Sequence, residues 1–229
     1  MVSISAVQVP ESIPPELMSA WMSLISADKR RKIAKFVRKE DQYRSLIGEL
    51  LVRSTIVRHT GMTNDDIRFA CNEYGKPALE GDAAFSFNLS HSGGWVVLAW
   101  SATALPLGID VEQIVPIDYR IAESFFTSRE KVDLFAREGD GRLDYFYRLW
   151  TLKESYIKAI GKGLSMPLDR FTVAPAAQGG WHSPEAPDFS FTSFRLDAVH
   201  LVAACSTSDE LPDTACILDW CSFIERVSF

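Results

Sequence analysis

The sequence repeats one order of helix and strands in its two halves, and this repeat constrains the fold more than any other feature. An apolar stripe at helical spacing ends near Gly61, and Phe69 follows eight residues later. A second helical stripe ends near Gly163, and Phe171 again follows eight residues later. Two strand-like matches come next in the same order: Phe85-Ser86-Phe87 with Phe189-Ser190-Phe191, and Trp95–Trp100 with Val199–Ala204. The matched segments are offset by 102 and then by 104 residues, which favours an internal duplication.

The duplication predicts a fold of the α+β class with two similar halves. We expect an N-terminal half of residues 1–105 and a C-terminal half of residues 106–229. Ligand sites occur preferentially where two domains meet, so the functional cleft is expected between the halves. Asn, Ser and Gly in Asn88–Gly94 indicate a loop between two strands of the first half, which would present a hydroxyl and an imidazole to this cleft.

The composition is ordinary for a soluble globular protein, with 47% hydrophobic and 24% charged residues among 229. The net charge of −6 argues against general binding of nucleic acid, which favours a basic domain. No apolar run reaches the roughly 18 residues of a membrane span, and the N-terminus lacks a signal-peptide pattern. Four cysteines without a CxxC spacing predict a reduced, cytoplasmic protein without a zinc site, in which Cys71 and Cys205 are buried.

Two carboxylates stand on an apolar, β-branched segment at the changeover between the halves. Asp110 and Glu112 are two residues apart, so on a strand both point to the same face, opposite the apolar side chains of Leu107, Ile109 and Val111. The alternative is a strand with one solvated face, which is a frequent arrangement. Two neighbouring carboxylates repel each other unless a cation joins them, and this favours a binding site.

A third carboxylate, Glu154, lies on a strongly periodic helix. Trp150, Glu154 and Lys158 are spaced by four and share one side of this helix. They could form a functional site, or Glu154 and Lys158 could form an ordinary surface ion pair beside a buried Trp. Lys153 falls within the apolar stripe and needs an anionic partner or a route to water. Carboxylates from a strand and a helix suit Mg²⁺, and Mg²⁺ with a nearby lysine suits phosphate chemistry.

A basic segment runs from Lys29 to Arg44 and includes Lys32. Such a run is usually a solvated helix face, but it could also bind nucleic acid or a small polyanion, and the acidic balance disfavours nucleic acid. Lys76 is a further candidate cation on a turn. His91, a lone histidine beside Ser90 and two glycines, is either structural or a phosphate contact. Neither a Walker A motif nor a GxGxxG motif is present.

Several of these segments together resemble the signature of the 4′-phosphopantetheinyl transferases. The resemblance rests on the segments Gly108-Ile109-Asp110-Val111-Glu112, Phe126-Thr127-Ser128-Arg129-Glu130 and Trp150-Thr151-Leu152-Lys153-Glu154-Ser155-Tyr156-Ile157-Lys158. Tyr74-Gly75-Lys76-Pro77 and Phe87-Asn88-Leu89-Ser90-His91-Ser92 are similar to the larger, monomeric, surfactin-synthetase-activating type. The likeness extends from about Lys29 to Val173, and its motifs are specific in this order and spacing.

The resemblance implies two similar α/β halves related by a pseudo-twofold axis. It implies transfer of the phosphopantetheine arm of coenzyme A to a serine of an apo carrier protein, with release of 3′,5′-ADP. Asp110, Glu112 and Glu154 would hold Mg²⁺, although Mn²⁺ suits the same oxygen ligands. Lys158 would contact the phosphates, and Glu154 would also be the base for the serine hydroxyl, directly or through water.

The resemblance also implies how coenzyme A and the carrier are bound. The adenosine and 3′-phosphate would contact a set of residues from the first half: Lys29, Lys32, Arg44, Lys76, Ser90 and His91. Trp150 would shape the wall beside Glu154, and part of Ile114–Phe126 would accept an amphipathic helix of an apo peptidyl or acyl carrier protein. Two alternatives stay open, a Mg²⁺-dependent hydrolase of a nucleotide or pyrophosphate and a non-catalytic module that binds coenzyme A or carriers.

Overall fold

The computed structural model describes residues 1–81 and 84–229, which form two larger β-sheets, each packed against a long helix. The first part of this chain has the elements β1 (Ser3–Gln8), α1 (Pro15–Ser23), α2 (Ala27–Ile33), α3 (Lys39–Thr60), β2 (Phe69–Cys71), β3 (Pro77–Leu79), β4 (Ser86–Ser92) and β5 (Trp95–Ser101). The second part has β6 (Leu107–Gln113), α4 (Arg120–Phe125), α5 (Ser128–Phe135), α6 (Gly139–Ala159), β7 (Ala174–Pro175), β8 (Trp181–His182), β9 (Ser190–Arg195), β10 (His200–Ser206), β11 (Cys216–Leu218) and α7 (Trp220–Val227).

The two sheets repeat one arrangement of a strand, a long helix and an antiparallel strand pair. The first sheet has the order β11-β1-β5-β4, and the second has the order β6-β10-β9-β8-β7. β5 pairs antiparallel with β1 and β4, just as β10 pairs antiparallel with β6 and β9. These elements confirm the mixed helix-and-sheet class. The exact division at residue 105 stays a prediction.

The first long helix ends where the sequence predicts, whereas the second ends at Ala159, a few residues before Gly163. Gly61 follows α3 with a φ of +75°, a left-handed conformation that glycine adopts without a steric penalty. Leu46, Ile47, Leu50 and Leu51 of α3 are fully buried against the first sheet, as expected from their helical spacing. The first half therefore has its own apolar core, and the helix signal in the sequence is confirmed.

Close contact between β6 and α6 requires the glycine at position 108. A Cβ atom built on Gly108 would lie 1.9 Å from the carbonyl oxygen of Ser155 and 2.5 Å from the nitrogen of Ala159. No side chain fits at these distances, so the glycine lets the helix backbone lie directly on the strand. This contact fixes α6 relative to the Asp110 carboxylate on the same strand.

Three expectations from the sequence are wrong. The predicted loop Asn88–Gly94 is mostly strand, because β4 continues to Ser92 in pairing with β5 and only two glycines form the turn. Cys71 is exposed rather than buried, since it lies on the small β2–β3 hairpin, whereas Cys205 is buried as expected. The strand Cys216–Leu218 falls within the expected C-terminal half of residues 106–229, but it pairs in parallel with β1 of the first sheet, and α7 packs into the first core. Within the described ranges, no helix combines the length and apolar character needed to cross a bilayer.

Candidate active site

A cleft of about 430 Å³ lies where β4, β6 and α6 meet. Its lining contains seven residues that the sequence singled out: Ser90, His91, Asp110, Glu112, Trp150, Glu154 and Lys158. Strand β4 supplies the first two, the alternation of β6 supplies both carboxylates, and successive turns of α6 supply the last three. The structure therefore brings residues from both parts of the chain together on one polar surface.

Asp110 is the most buried acidic group of this cleft, with 3% of its surface exposed. Its Oδ1 atom lies 2.6 Å from the ammonium of Lys158 and 2.9 Å from the hydroxyl of Ser90, which donates a hydrogen bond to it. Its Oδ2 atom is buried and has no hydrogen-bond partner in the described part of the chain. An unsatisfied carboxylate oxygen is costly, and it marks a position that a cation can occupy.

The electrostatics of the cleft favour binding of a cation. Burial raises the pKa of Glu154 to about 7, and repulsion by Asp110 adds to this rise, while the Lys158 ammonium opposes it. Burial and the Asp110 charge also raise the pKa of Glu112. A carboxyl group with a pKa near neutrality can accept a proton under working conditions, which is the property of a general base.

The oxygen donors of Asp110, Glu112 and Glu154 fit Mg²⁺ or Mn²⁺ by their chemistry. The unsatisfied Oδ2 atom of Asp110 supports this fit, because a cation would give it a partner. In this conformation no three acidic, His or Cys side chains of residues 1–81 and 84–229 are drawn together as a compact ligand set. The metal assignment remains a prediction that the donor types and the orphan oxygen support.

A second, larger cavity of about 840 Å³ contains two of the other predicted lysines, Lys29 and Lys32. Its lining also includes Arg53, Gly75 and several polar residues of the first half. The Lys29 ammonium lies 3.6 Å from the Oε2 atom of Glu49. The Oε1 atom of Glu49 accepts a hydrogen bond of 2.8 Å from Arg53. Lys32 forms no ion pair with any described residue, so its charge is free for an anionic ligand.

Arg44 and Lys76 line neither of these two cavities. Arg44 donates a 2.6 Å hydrogen bond to the carbonyl of Gly93 and forms an ion pair of 2.6 Å with Asp41. It therefore supports the turn between β4 and β5. The predicted contacts of Arg44 and Lys76 with a phosphate remain untested by this geometry.

Lys76 links the small hairpin of the first half to the helix of the second half. Its ammonium donates hydrogen bonds to the carbonyls of Leu107 at 2.9 Å and Ala159 at 3.0 Å, and burial lowers its pKa to about 8. The Asn72 side chain donates a further bond of 2.8 Å to the carbonyl of Gly161. The bonds to Ala159 and Gly161 satisfy carbonyls at the C-terminal end of α6, where carbonyls lack partners within the helix, and the bond to Leu107 reaches the start of β6.

Replacing Lys76 by methionine is expected to lower the free energy of unfolding by about 1.5–3 kcal/mol, because bonds from a charged donor to two carbonyls are lost. Urea denaturation measures this change. Lys162→Met is the control, since Lys162 is exposed and a change there is expected to stay within about 0.5 kcal/mol. Unchanged stability of Lys76→Met with weaker binding of coenzyme A would instead support the phosphate contact.

The partner of Lys153 was not identified from the sequence. Lys153 is fully buried, as its place in the apolar stripe indicated, and its ammonium lies 2.8 Å from Glu130 Oε1. Glu130 also accepts hydrogen bonds from the backbone nitrogens of Thr127 at 2.8 Å and Val173 at 2.7 Å. The signal that could have located it is the capping box Thr127-x-x-Glu130 at the start of α5.

The segment Ile114–Phe126 forms only one short helix beside the cleft. Ala122 and Phe126 are buried in the core, whereas Ile121 and Phe125 are 38% and 36% exposed. The Phe125 ring packs edge-on against Trp150, with ring centroids 5.5 Å apart. Trp150 therefore connects the wall of the cleft with the partly exposed apolar face of α4.

Two family models match consecutive parts of the chain. The model "4′-phosphopantetheinyl transferase, N-terminal" matches residues 13–103. The model "4′-phosphopantetheinyl transferase superfamily" matches residues 106–205, which include both carboxylates of β6 and all of α6. The boundary between the matches falls close to the changeover that the repeat indicates.

Similar proteins belong to the same family. The 4′-phosphopantetheinyl transferase Sfp of Bacillus subtilis (strain 168) is 41% identical over 214 residues, which cover 92% of this chain and 94% of that protein. The 4′-phosphopantetheinyl transferase gsp of Aneurinibacillus migulanus is 41% identical over 173 residues, covering 76% and 71% respectively. A solved holo-(acyl-carrier-protein) synthase from Bacillus anthracis str. Ames, in complex with CoA (3′,5′-ADP), aligns with a TM-score of 0.41 and 17% identity over 44% of this chain and 95% of that chain. The 41% identity to the Bacillus subtilis protein over 92% of this chain, with both family matches, shows that the chain belongs to the 4′-phosphopantetheinyl transferase superfamily.

Proposed function

We propose that this protein transfers the 4′-phosphopantetheine group of coenzyme A to a serine of an apo carrier protein and releases 3′,5′-ADP. The observation that supports this most directly is the shared cleft of Asp110, Glu112, Glu154 and Lys158. Three carboxylates and one lysine on a polar surface are suited to a pyrophosphate with a divalent cation. Family membership supplies the reaction class, and the cleft supplies the groups that the reaction needs.

The chemistry assigns a separate task to each group. The serine oxygen attacks the β-phosphorus of coenzyme A, a P–O bond to the leaving 3′,5′-ADP breaks, and the serine proton passes to Glu154, directly or through water. Serine is a weak nucleophile at neutral pH and needs such a base. The Lys158 ammonium offsets the negative charge that develops on the phosphate oxygens. Mg²⁺ or Mn²⁺ held by Asp110, Glu112 and Glu154 would supply further charge neutralisation.

The rest of coenzyme A would extend from this cleft towards the first half. We assign the 3′-phosphate and adenosine to the cavity that contains Lys29 and Lys32, whereas Ser90 and His91 line the cleft itself. Lys32 supports this assignment because no described residue compensates its charge. Lys29 is partly compensated by Glu49 and would contribute less.

The carrier protein would approach the face that contains α4. Ile121 and Phe125 present partly exposed apolar surface next to Trp150, and an amphipathic carrier helix could cover them while its serine enters the cleft. We further propose that the protein acts as a monomer in the cytoplasm. The four cysteines are free thiols, which suits a reducing compartment.

Intact-protein mass spectrometry tests the proposed reaction. An apo peptidyl carrier protein mixed with this protein, coenzyme A and Mg²⁺ is expected to gain one phosphopantetheine group, and EDTA is expected to abolish the gain. A carrier whose acceptor serine is replaced by alanine is the control. Consumption of coenzyme A without a carrier would instead support a hydrolase, and binding of coenzyme A without any product would support a binding module.

A further inference from the structure

The outer edge of β6 is joined to β4 by side chains instead of by a backbone ladder. Strand β6 pairs through its backbone with β10, and β4 pairs with β5, so the two facing edges belong to different sheets. Backbone nitrogens on β6 and just before it donate hydrogen bonds to side chains of β4: Leu105 to Ser86 (3.0 Å), Ile109 to Asn88 (2.8 Å), Val111 to Ser90 (3.4 Å) and Gln113 to Ser92 (3.1 Å). We call these four residues of β4 the polar seam.

The spacing of the polar seam follows from strand geometry. Its residues alternate along β4, so all four side chains point to the same side. Each supplies an oxygen to a backbone nitrogen that, within the described residues, has no backbone partner on the edge facing β4. The seam therefore gives these backbone N–H groups hydrogen-bond acceptors, while β4 and β6 stay far enough apart for side chains to lie between them.

Two hydroxyl groups of the seam make a second bond, and each goes to a carboxylate of the cleft. Ser90 donates to Asp110 Oδ1 at 2.9 Å, and Ser92 donates to Glu112 Oε2 at 2.7 Å. A hydroxyl has one proton and two lone pairs, so it can accept from a backbone nitrogen and donate to a carboxylate at the same time. The two bonds fix the hydroxyl proton in the direction of the carboxylate.

The Glu112 carboxylate has fewer hydrogen-bond donors than the Asp110 carboxylate, so its orientation depends more on its serine. Asp110 is held by both Ser90 and the Lys158 ammonium. Over residues 1–81 and 84–229, the Glu112 carboxylate receives a hydrogen bond from Ser92 and from no other group. Glu112 is also only half buried, so packing restricts it less than it restricts Asp110.

We propose that Ser92 is a positioning residue for Glu112, fixed in place by the polar seam. The inference rests on the proposed function, in which Glu112 is one of three carboxylates for a divalent cation. Without the Ser92 hydroxyl, the Glu112 side chain is free to adopt other rotamers, and the repulsion from Asp110 favours those that point away from the cleft. Loss of a group that orients a metal ligand typically weakens metal affinity about 10- to 100-fold.

Binding of Mn²⁺ tests this role without turnover. Isothermal titration of Mn²⁺ into the protein with saturating coenzyme A and no carrier is expected to show about 10- to 100-fold weaker binding for Ser92→Ala than for the wild type. Ser92→Thr keeps the hydroxyl and is expected to restore the affinity. Ser86→Ala is the matched control, because Ser86 accepts the same kind of seam bond from Leu105 but has no hydrogen bond to a carboxylate of residues 1–81 or 84–229.

The outcomes separate positioning from a purely structural seam. Equal Mn²⁺ affinity of Ser92→Ala and Ser86→Ala would overturn the proposal. A thermal melt of each variant checks folding, and Ser92→Cys, with similar volume and only a weak donor, replaces the alanine variant if that variant unfolds. Absence of Mn²⁺ binding by the wild type would overturn the metal assignment itself. If the wild type instead transfers phosphopantetheine only with Mg²⁺, and Ser92→Ala binds Mn²⁺ as tightly as the wild type, the role of Ser92 is wrong but the proposed function stands.

Discussion

Glu154→Gln is expected to slow carrier modification by about 10²- to 10⁴-fold, because the amide has nearly the same shape but cannot accept the serine proton. Glu154 lies in the cleft with Lys158, and burial raises its pKa to about 7, so the native carboxylate can take a proton near neutral pH. Single-turnover mass spectrometry of the carrier measures the rate. Coenzyme A is expected to stay bound, as titration calorimetry would show.

Asp140→Asn is the control for this substitution. Asp140 is exposed in the first turn of the same helix, whereas the cleft residues of α6 lie in its later turns. Its replacement is expected to leave the transfer rate unchanged. If Glu154→Gln transfers phosphopantetheine at the wild-type rate, Glu154 is not the base, and another carboxylate of the cleft would have to accept the serine proton.

Lys153→Met is expected to lower the free energy of unfolding by about 3–5 kcal/mol, because it leaves the Glu130 carboxylate buried without its charged partner. The Lys153 ammonium is enclosed by Glu130 and by the carbonyls of Leu168 and Phe171, at 2.8 and 2.5 Å. The pair therefore ties α5 and the segment after α6 to the helix that contains Glu154. Denaturation by urea, followed by circular dichroism, measures the loss.

The partly exposed ion pair between Lys131 and Glu123 provides the comparison. These groups are 3.5 Å apart on the surface, and Lys131→Met is expected to cost less than about 1 kcal/mol. The double variant Glu130→Gln with Lys153→Met is expected to be more stable than the sum of the single changes predicts, because it removes both buried charges. If Lys153→Met costs no more than Lys131→Met, the buried pair does not stabilise the fold.

Local periodicity predicted two of the three elements that form the cleft, β6 and α6. The alternation around Asp110 and Glu112 and the four-residue spacing of Trp150, Glu154 and Lys158 each define one face, and tertiary packing preserved both faces. The buried Lys153 was also evident, since a lysine within an apolar stripe needs a partner. These features depend only on residues close together in the sequence, within one or two helical turns or a few strand residues, so the sequence alone is enough to predict them.

Features that depend on distant contacts could not be predicted in the same way. Lys76 was identified as a cation on a turn, but its ammonium lies on the carbonyls of Leu107 and Ala159, which follow far later in the chain. Three residues of the polar seam, Asn88, Ser90 and Ser92, were interpreted as part of a loop, because Asn, Ser and Gly suit both a turn and a strand edge that forms hydrogen bonds through its side chains. The short strand Cys216–Leu218 has no local signal for its partner, so its parallel pairing with β1 was missed.

The pairing of β11 with β1 has a consequence for synthesis of the chain. Residues Cys216–Leu218 complete the first sheet, but the ribosome makes them after the whole second sheet. Domains generally begin to fold from the N-terminal side during synthesis, and an unpaired strand edge is a template for association with other chains. The outer edge of β1 therefore stays open until the nascent chain is nearly 220 residues long. A chain released before that point would expose this edge to aggregation or to chaperones, even though most of its first core had already formed.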